Sequence, residues 1–257
     1  MEAEIQAELL KIETSENVRI IFAIESGSRA WGFPSADSDF DVRFVYARSP
    51  DWYLSVAKRR DVIERPISGL LDINGWDLRK ALQLLRKSNP ALMEWLASPI
   101  IYREHPSAQT FRNFANEAFL PLASCHHYRS MMKGHRARSA AGEQVRLKTY
   151  LYTLRPLLAA RWVIRYGVQP PMLFSELVEE FLPSGEIRTI VDELVRIKSS
   201  AMEADMVDRI AELDQYLIVG MEEIEESLSR MPKTEVRDYE FFNVKFREIL
   251  DLIWDVI

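Results

Sequence analysis

The residue types that could do chemistry lie close together near the start of the chain. Gly27 and Ser28 follow an apolar run from Arg19 to Ile24, and Asp39 comes eleven residues after Ser28, with Asp41 two further on. If Asp39–Tyr46 is a strand, alternation turns Phe40, Val42 and Phe44 toward a core and puts Asp39, Asp41 and Arg43 on the opposite face. Two carboxylates held side by side repel each other unless a cation sits between them. The pair therefore points to an all-oxygen site for a hard divalent ion, Mg²⁺ or Mn²⁺. Gly27 and Ser28, where a strand opens into a turn or short helix, offer backbone N–H groups and a hydroxyl to an anion. A phosphate cradle beside a metal-binding Asp pair is what a nucleoside triphosphate needs. The loop is not a Walker A loop, because Gly27-x4-Gly32 leads into Phe33-Pro34 rather than Lys-Ser/Thr.

The surrounding sequence sets the elements that position these residues. Ala3–Ile12 reads as an amphipathic helix, Val18–Ile24 as a strand, and the residues after Ser28 as a short helical turn ending near Gly32-Phe33-Pro34. Arg60–Arg65 and Gly69–Ile73 read as further strands across Pro66-Ile67-Ser68. Asp77 is placed to cap a following helix, and Asn89-Pro90 to start another. From Pro106 onward strand signals nearly vanish, and apolar periodicity predicts helices over 108–119, 122–138, 143–166, 174–181, 186–199, 202–228 and 236–256. The expectation is an α/β (α+β) chain: a small mixed sheet with helices on one face over 1–105, then an all-α domain over 106–257, with the nucleotide in the cleft between them.

Composition narrows the class. The chain has 257 residues, 47% hydrophobic and 28% charged, with a net charge of −6, which argues against a broad non-specific nucleic-acid surface. The charge is uneven. From Arg129 to Arg165 nine Lys/Arg stand against one acid, and from Met202 to Arg230 nine acids stand against two bases. The two segments either present a phosphate-binding face or pair with each other and solvent. No long apolar run suggests a membrane span, and the acidic N-terminus does not read as a signal peptide. Cys125 is the lone cysteine, so a reducing cytoplasm is the simplest reading and a buried structural thiol its simplest role. His105, His126, His127 and His135 do not make a metal set, since adjacent helical histidines point about 100° apart.

Three stretches carry a resemblance: GSRAWGFPSADSDFDVRFVY, then LLDINGWDLRKALQLLRKSNPALMEWLASPIIY, then LKTYLYTLRPLLAARW. Gly27-Ser28, a spacer and Asp39-Phe40-Asp41 resemble the signature of the DNA polymerase β-type nucleotidyltransferase superfamily. The longer run resembles the nucleotidyltransferases of its RNA-repair-pathway branch (RlaP type), over roughly residues 18–166. The resemblance implies a third carboxylate on a neighbouring strand, acting with the metals or as the base at the attacking hydroxyl. Asp72 is the candidate, because it interrupts the apolar run Leu70-Leu71-Asp72-Ile73; Glu64 is a rival, and Asp77 fits a helix cap better. Gly27 and Ser28 would meet the triphosphate, and Arg29 or Arg43 would neutralise its charge or orient a carboxylate. Lys148, Tyr152 and Arg155 share one face of a basic helix that in the family closes over the nucleotide. The implied activity is transfer of an NMP from an NTP to an acceptor hydroxyl, with an RNA end, possibly a tRNA end, as the acceptor. The alternatives are transfer to a protein or small-molecule hydroxyl, and a non-catalytic NTP-binding regulatory partner.

Overall fold

The computed structural model describes residues 1–137, 142–200 and 206–254. The chain begins α1 (Glu2–Glu16), β1 (Val18–Glu25), α2 (Gly27–Trp31), β2 (Phe40–Arg48), α3 (Pro50–Tyr53) and β3 (Val62–Glu64). It continues β4 (Leu71–Asp77), α4 (Leu78–Leu85), α5 (Pro90–Leu96), β5 (Ile101–Glu104), α6 (Ser107–Glu117) and α7 (Pro121–Ala137). The remainder is β6 (Gln144–Arg146), α8 (Leu147–Tyr166), α9 (Phe174–Phe181), α10 (Glu186–Ser200), β7 (Met206–Asp208), α11 (Ala211–Arg230) and α12 (Tyr239–Trp254). Within the predicted helices 122–138, 202–228 and 236–256, Arg138, 202–205 and 255–256 lie outside the described residues.

The architecture is mixed α/β. A five-stranded sheet runs in the order β3-β4-β2-β1-β5. β2 and β4 are parallel, and the other pairings are antiparallel. Of the eight residues of β1 only Arg19 is exposed, and a strand apolar on both faces must be covered on both. The expectation of helices on one face is corrected accordingly. Ile5, Leu9 and Ile12 of α1 pack on one side against Val42, Phe44, Tyr46 and Ile73. On the other side α4, α5, α6 and α12 pack on Ile21 and Val45, through residues such as Leu82, Leu92, Phe111 and Ile249. Gly75 of β4 lies opposite Phe44, and a Cβ there would sit 2.2 Å from the Phe44 ring. The strand thus carries glycine where the aromatic ring needs the room.

The caps follow the sequence. Asp77 Oδ1 accepts the Arg79 N–H at 2.8 Å, and Asn89 Oδ1 accepts that of Leu92 at 3.2 Å. Asp77 is buried, and burial pushes its carboxyl up to about 6, partly offset by hydrogen bonds from Tyr53 and the Arg79 amide. β5, at the edge beside β1, is an element the periodicity does not announce; its four residues carry no alternation.

The chain forms two compact units, one of 1–27, 39–119 and 235–257, the other of 28–38 and 120–234. This partition differs from the division at residue 105. α6 belongs with the sheet because Phe111 packs on Phe22, ring centroids 6.1 Å apart. α12 returns to the same core through Phe242, Ile249 and Ile253. The second unit is helical around α8, whose Leu151, Leu154, Leu157 and Leu158 are buried. It also holds a short antiparallel ribbon of β6 and β7, where helix was expected to continue. Cys125 is buried there, and burial pushes its thiol up to about 12. Part of the uneven charge is paired: three of the nine bases of 129–165 meet two acids of the 202–230 stretch, and a fourth meets Glu180. Arg129 and Lys133 pair with Glu225 at 2.9 and 2.5 Å, Arg161 with Glu223 at 2.7 Å, and Arg165 with Glu180 at 2.6 Å.

Candidate active site

β2 and β4 run parallel with Asp41 directly opposite Asp72 and Arg43 opposite Asn74. In-register neighbours on parallel strands project to the same face, so two residues 31 apart in sequence stand side by side. Arg43 sits between them. Its NH2 nitrogen donates to Asp41 Oδ1 at 2.8 Å and to Asp72 Oδ2 at 2.7 Å. The two carboxylate oxygens are therefore no farther apart than the sum of those bonds. The three side chains are 17%, 31% and 29% exposed, a partly desolvated setting in which each charge-assisted hydrogen bond contributes about 1.5–3 kcal/mol. Arg43 NH1 also donates to the Asp72 carbonyl at 2.9 Å. Of the two roles open to Arg43 in the sequence, this is the carboxylate-orienting one. Asp39 lies one residue before β2 and is exposed.

Gly27 closes the same corner. Its φ is +62°, a backbone conformation that costs residues with a Cβ. A Cβ on Gly27 would stand 2.2 Å from Asp41 Oδ2. Glycine here is what lets the backbone pass over the carboxylate. Glu25, two residues earlier, is fully buried. It accepts the Asp41 N–H at 2.8 Å and the Tyr102 hydroxyl. Ser26 N–H in turn donates to the Asp41 carbonyl at 2.8 Å. The end of β1 and the start of β2 are thereby locked around Asp41. Sequence reasoning gave Glu25 no role, although an acid closing an apolar strand is a signal that it needs a partner.

The chain passes into the second unit at Gly27–Ser28 and leaves it at Ser38–Asp39. Within that unit Ser28 is buried and its hydroxyl donates to Ser38 Oγ at 3.2 Å. Ser38 Oγ also bonds the Ser35 amide and hydroxyl at 2.9 and 2.8 Å. Lys198, 2% exposed, donates to Ser35 Oγ at 3.1 Å. Arg29 NH2 donates to the Ser38 carbonyl at 2.7 Å. Ser28 is thus the end of a hydroxyl chain anchored by a buried ammonium. Nothing in the sequence signals Lys198, 163 residues from Ser35 in a helix of ordinary pattern. On α8, Arg155 is 1% exposed, with its guanidinium over the Trp31 ring at 4.4 Å and NH2 donating to the Met172 carbonyl at 3.2 Å. Tyr152 meets Trp31 edge-on at 5.1 Å and His135 at 5.9 Å, while Lys148 is half-buried. Arg155 and Tyr152 line one aromatic cluster with Trp31 and Phe33.

The donors suit a hard divalent cation in kind: two carboxylates in register, a third just before β2, and a glycine turn that leaves room over Asp41. As the side chains stand, no group of three His, Cys, Asp or Glu among the described residues is close enough to hold a metal. The positive charge between Asp41 and Asp72 is the Arg43 guanidinium.

A mixed sheet whose parallel strands set two acids together beside a glycine turn is a framework suited to phosphoryl-group chemistry. The chain belongs to the RlaP family, the RNA repair pathway DNA polymerase beta family, which it matches over residues 1–248. The family supports a nucleotidyltransferase as the kind of enzyme. The chain is similar to the Bacillus subtilis (strain 168) protein named "Uncharacterized protein YcgL", at 44% identity over 239 residues, 93% of this chain and 92% of that protein. A solved nucleotidyltransferase-like protein from Exiguobacterium sibiricum 255-15 is 13% identical, with 86% of this chain and 73% of that one covered. Its TM-score of 0.32 is too loose a likeness to argue from. Among the described residues no helix is long and apolar enough to cross a membrane.

Proposed function

We propose that the chain is a metal-dependent nucleotidyltransferase that moves an NMP from an NTP to an acceptor hydroxyl on RNA, releasing pyrophosphate. The observation that carries the reading is the in-register pair Asp41 and Asp72 beneath the close approach of Gly27. Mg²⁺ or Mn²⁺, held by Asp39 and Asp41 with Asp72 beside them, would supply the neutralisation of triphosphate charge.

The protein's own groups have the following tasks. Gly27 and Ser28 hold the triphosphate by close backbone approach. Arg43 aligns Asp41 and Asp72 before substrate arrives, and Glu25 fixes the backbone of Asp41. The acceptor oxygen forms its bond to the α-phosphorus as the bond to the bridging oxygen breaks, and pyrophosphate carries away that electron pair. Asp72 takes up the hydroxyl proton. Phosphoryl-type transfer depends mainly on positioning and charge, so few further side chains are required. Tyr152, Lys148 and Arg29 are assigned to nucleotide contact. Arg155 is assigned to holding the Trp31 ring, because a guanidinium 1% exposed acts through what it packs against.

The test is transfer of label from ATP, GTP, CTP and UTP carrying it at the α-phosphate. The acceptors are lysate RNA and protein, with Mg²⁺ or Mn²⁺, and Asp39→Ala/Asp41→Ala serves as control. Label on RNA that disappears in the control supports the reading. Label confined to protein replaces RNA with a protein hydroxyl as acceptor, and no label anywhere refutes transfer.

A further inference from the structure

Four of the nine bases of the stretch 129–165 are paired with Glu180, Glu223 and Glu225. The first unit carries a separate cationic surface. A pocket of about 360 Å³ opens where β2 and β4 end, lined by Trp52, Lys58, Arg59, Asp61, Arg79 and Lys80 among others. That volume falls in the range of small-molecule and cofactor sites, about 300–1,000 Å³. Four cations in it face two acids, Asp61 and Asp77, in a chain of net charge −6. Asp77 is turned inward as the cap of α4, and Asp61 meets Lys80 at 3.5 Å.

The pocket wall is prearranged. Tyr53 donates its hydroxyl to Asp77 at 2.9 Å and accepts the Arg48 N–H at 3.1 Å. The Arg79 guanidinium lies over the Tyr53 ring at 4.9 Å, and that of Arg59 over Trp52 at 5.5 Å. Arg79 NH2 also donates to the Tyr53 carbonyl at 3.2 Å, and Lys58 and Arg59 are exposed, cations of the kind suited to phosphate. Asp72 and Asp77 are five residues apart on β4, so the pocket and the paired carboxylates are separated by about 17 Å of strand. A strand stacked as in a duplex, at about 3.4 Å per nucleotide, spans that length in about five nucleotides, and an extended strand in fewer.

We infer that this pocket binds the phosphate backbone of the RNA acceptor strand, upstream of the end presented to Asp72. The inference rests on the RNA reading above, and its test is one of binding. The probe is a short unstructured RNA oligonucleotide, followed by fluorescence anisotropy across a salt series. Lys58→Ala/Arg59→Ala should weaken binding about tenfold or more and flatten the slope of log affinity against log salt by about 1.4. Both residues are exposed on an irregular segment, so circular dichroism should be unchanged. Arg165→Glu, on the paired helical stretch, should leave affinity unchanged. Equal affinity in the double variant, or no binding by the natural chain at low salt, overturns the inference. So does displacement by inorganic phosphate as readily as by unlabelled RNA, which would make it a free-anion site. Transfer to RNA that survives in the double variant with unchanged affinity would sink the pocket and leave the enzyme standing. Binding that maps to the pocket without transfer would do the reverse.

Discussion

Replacing Gly27 by alanine is the sharpest probe of the corner. Two costs can be separated. The backbone at φ +62° penalises any residue with a Cβ by about 1–2 kcal/mol. The new Cβ would then stand 2.2 Å from Asp41 Oδ2 and 3.1 Å from its Cγ, which no structure tolerates, so the carboxylate must swing away. That motion breaks the 2.8 Å bond to Arg43, a charge-assisted bond worth about 1.5–3 kcal/mol. Gly27→Ala should therefore cost about 2.5–5 kcal/mol. In an Asp41→Ala background the offending atoms are gone and only the Asp41 Cβ remains, at an ordinary 3.5 Å. There the same change should cost only the backbone share, about 1–2 kcal/mol. Urea unfolding of the four proteins, with midpoint and slope fitted together, gives the coupling energy, expected at about 2 kcal/mol. Additivity within about 0.5 kcal/mol would refute the claim that Gly27 exists to clear Asp41.

Further outcomes follow from the same geometry. Arg43→Met leaves Asp41 and Asp72 side by side without their guanidinium and should cost about 2–4 kcal/mol; millimolar Mg²⁺ should raise the melting temperature of the variant more than that of the natural chain, and equal shifts would count against a cation site there. The raised carboxyl of Asp77, about 6 against an ordinary 3.8, means the folded state holds its proton longer than the unfolded one. Its contribution is full below about pH 4 and is lost as pH rises through about 6. Asp77→Asn should therefore gain about 2 kcal/mol relative to the natural chain between pH 4.5 and 7.5, read from urea midpoints at the two pH values; a gap that stays constant would contradict the assignment. Lys198→Met withdraws the donor on Ser35 and should lower stability by about 1–3 kcal/mol, with Lys198→Arg restoring part of it if the hydrogen bond is what matters.

Some of this protein is written locally. Apolar runs of strand length, the Asp77 and Asn89 caps and the helical spacing of 174–181 and 186–199 depend on neighbours within a few residues, and they appear where the sequence puts them. The alternation of Val42 and Phe44 against Asp41 and Arg43 is local too, since the pleat fixes it. Tertiary structure decided the rest. Which residue stands opposite Asp41 depends on the parallel register of β2 and β4, set by packing across the whole sheet. That register makes Asp72 the neighbour and Arg43 their shared partner. The burial of β1 on both faces needs helices from distant parts of the chain, including α12 at its far end, and no short-range pattern says which helix returns. Lys198 looks ordinary in sequence, and Glu25 signals only that it needs a partner, because which partner each finds is decided on folding. Local rules fix what each segment becomes, whereas long-range contacts fix which charges meet.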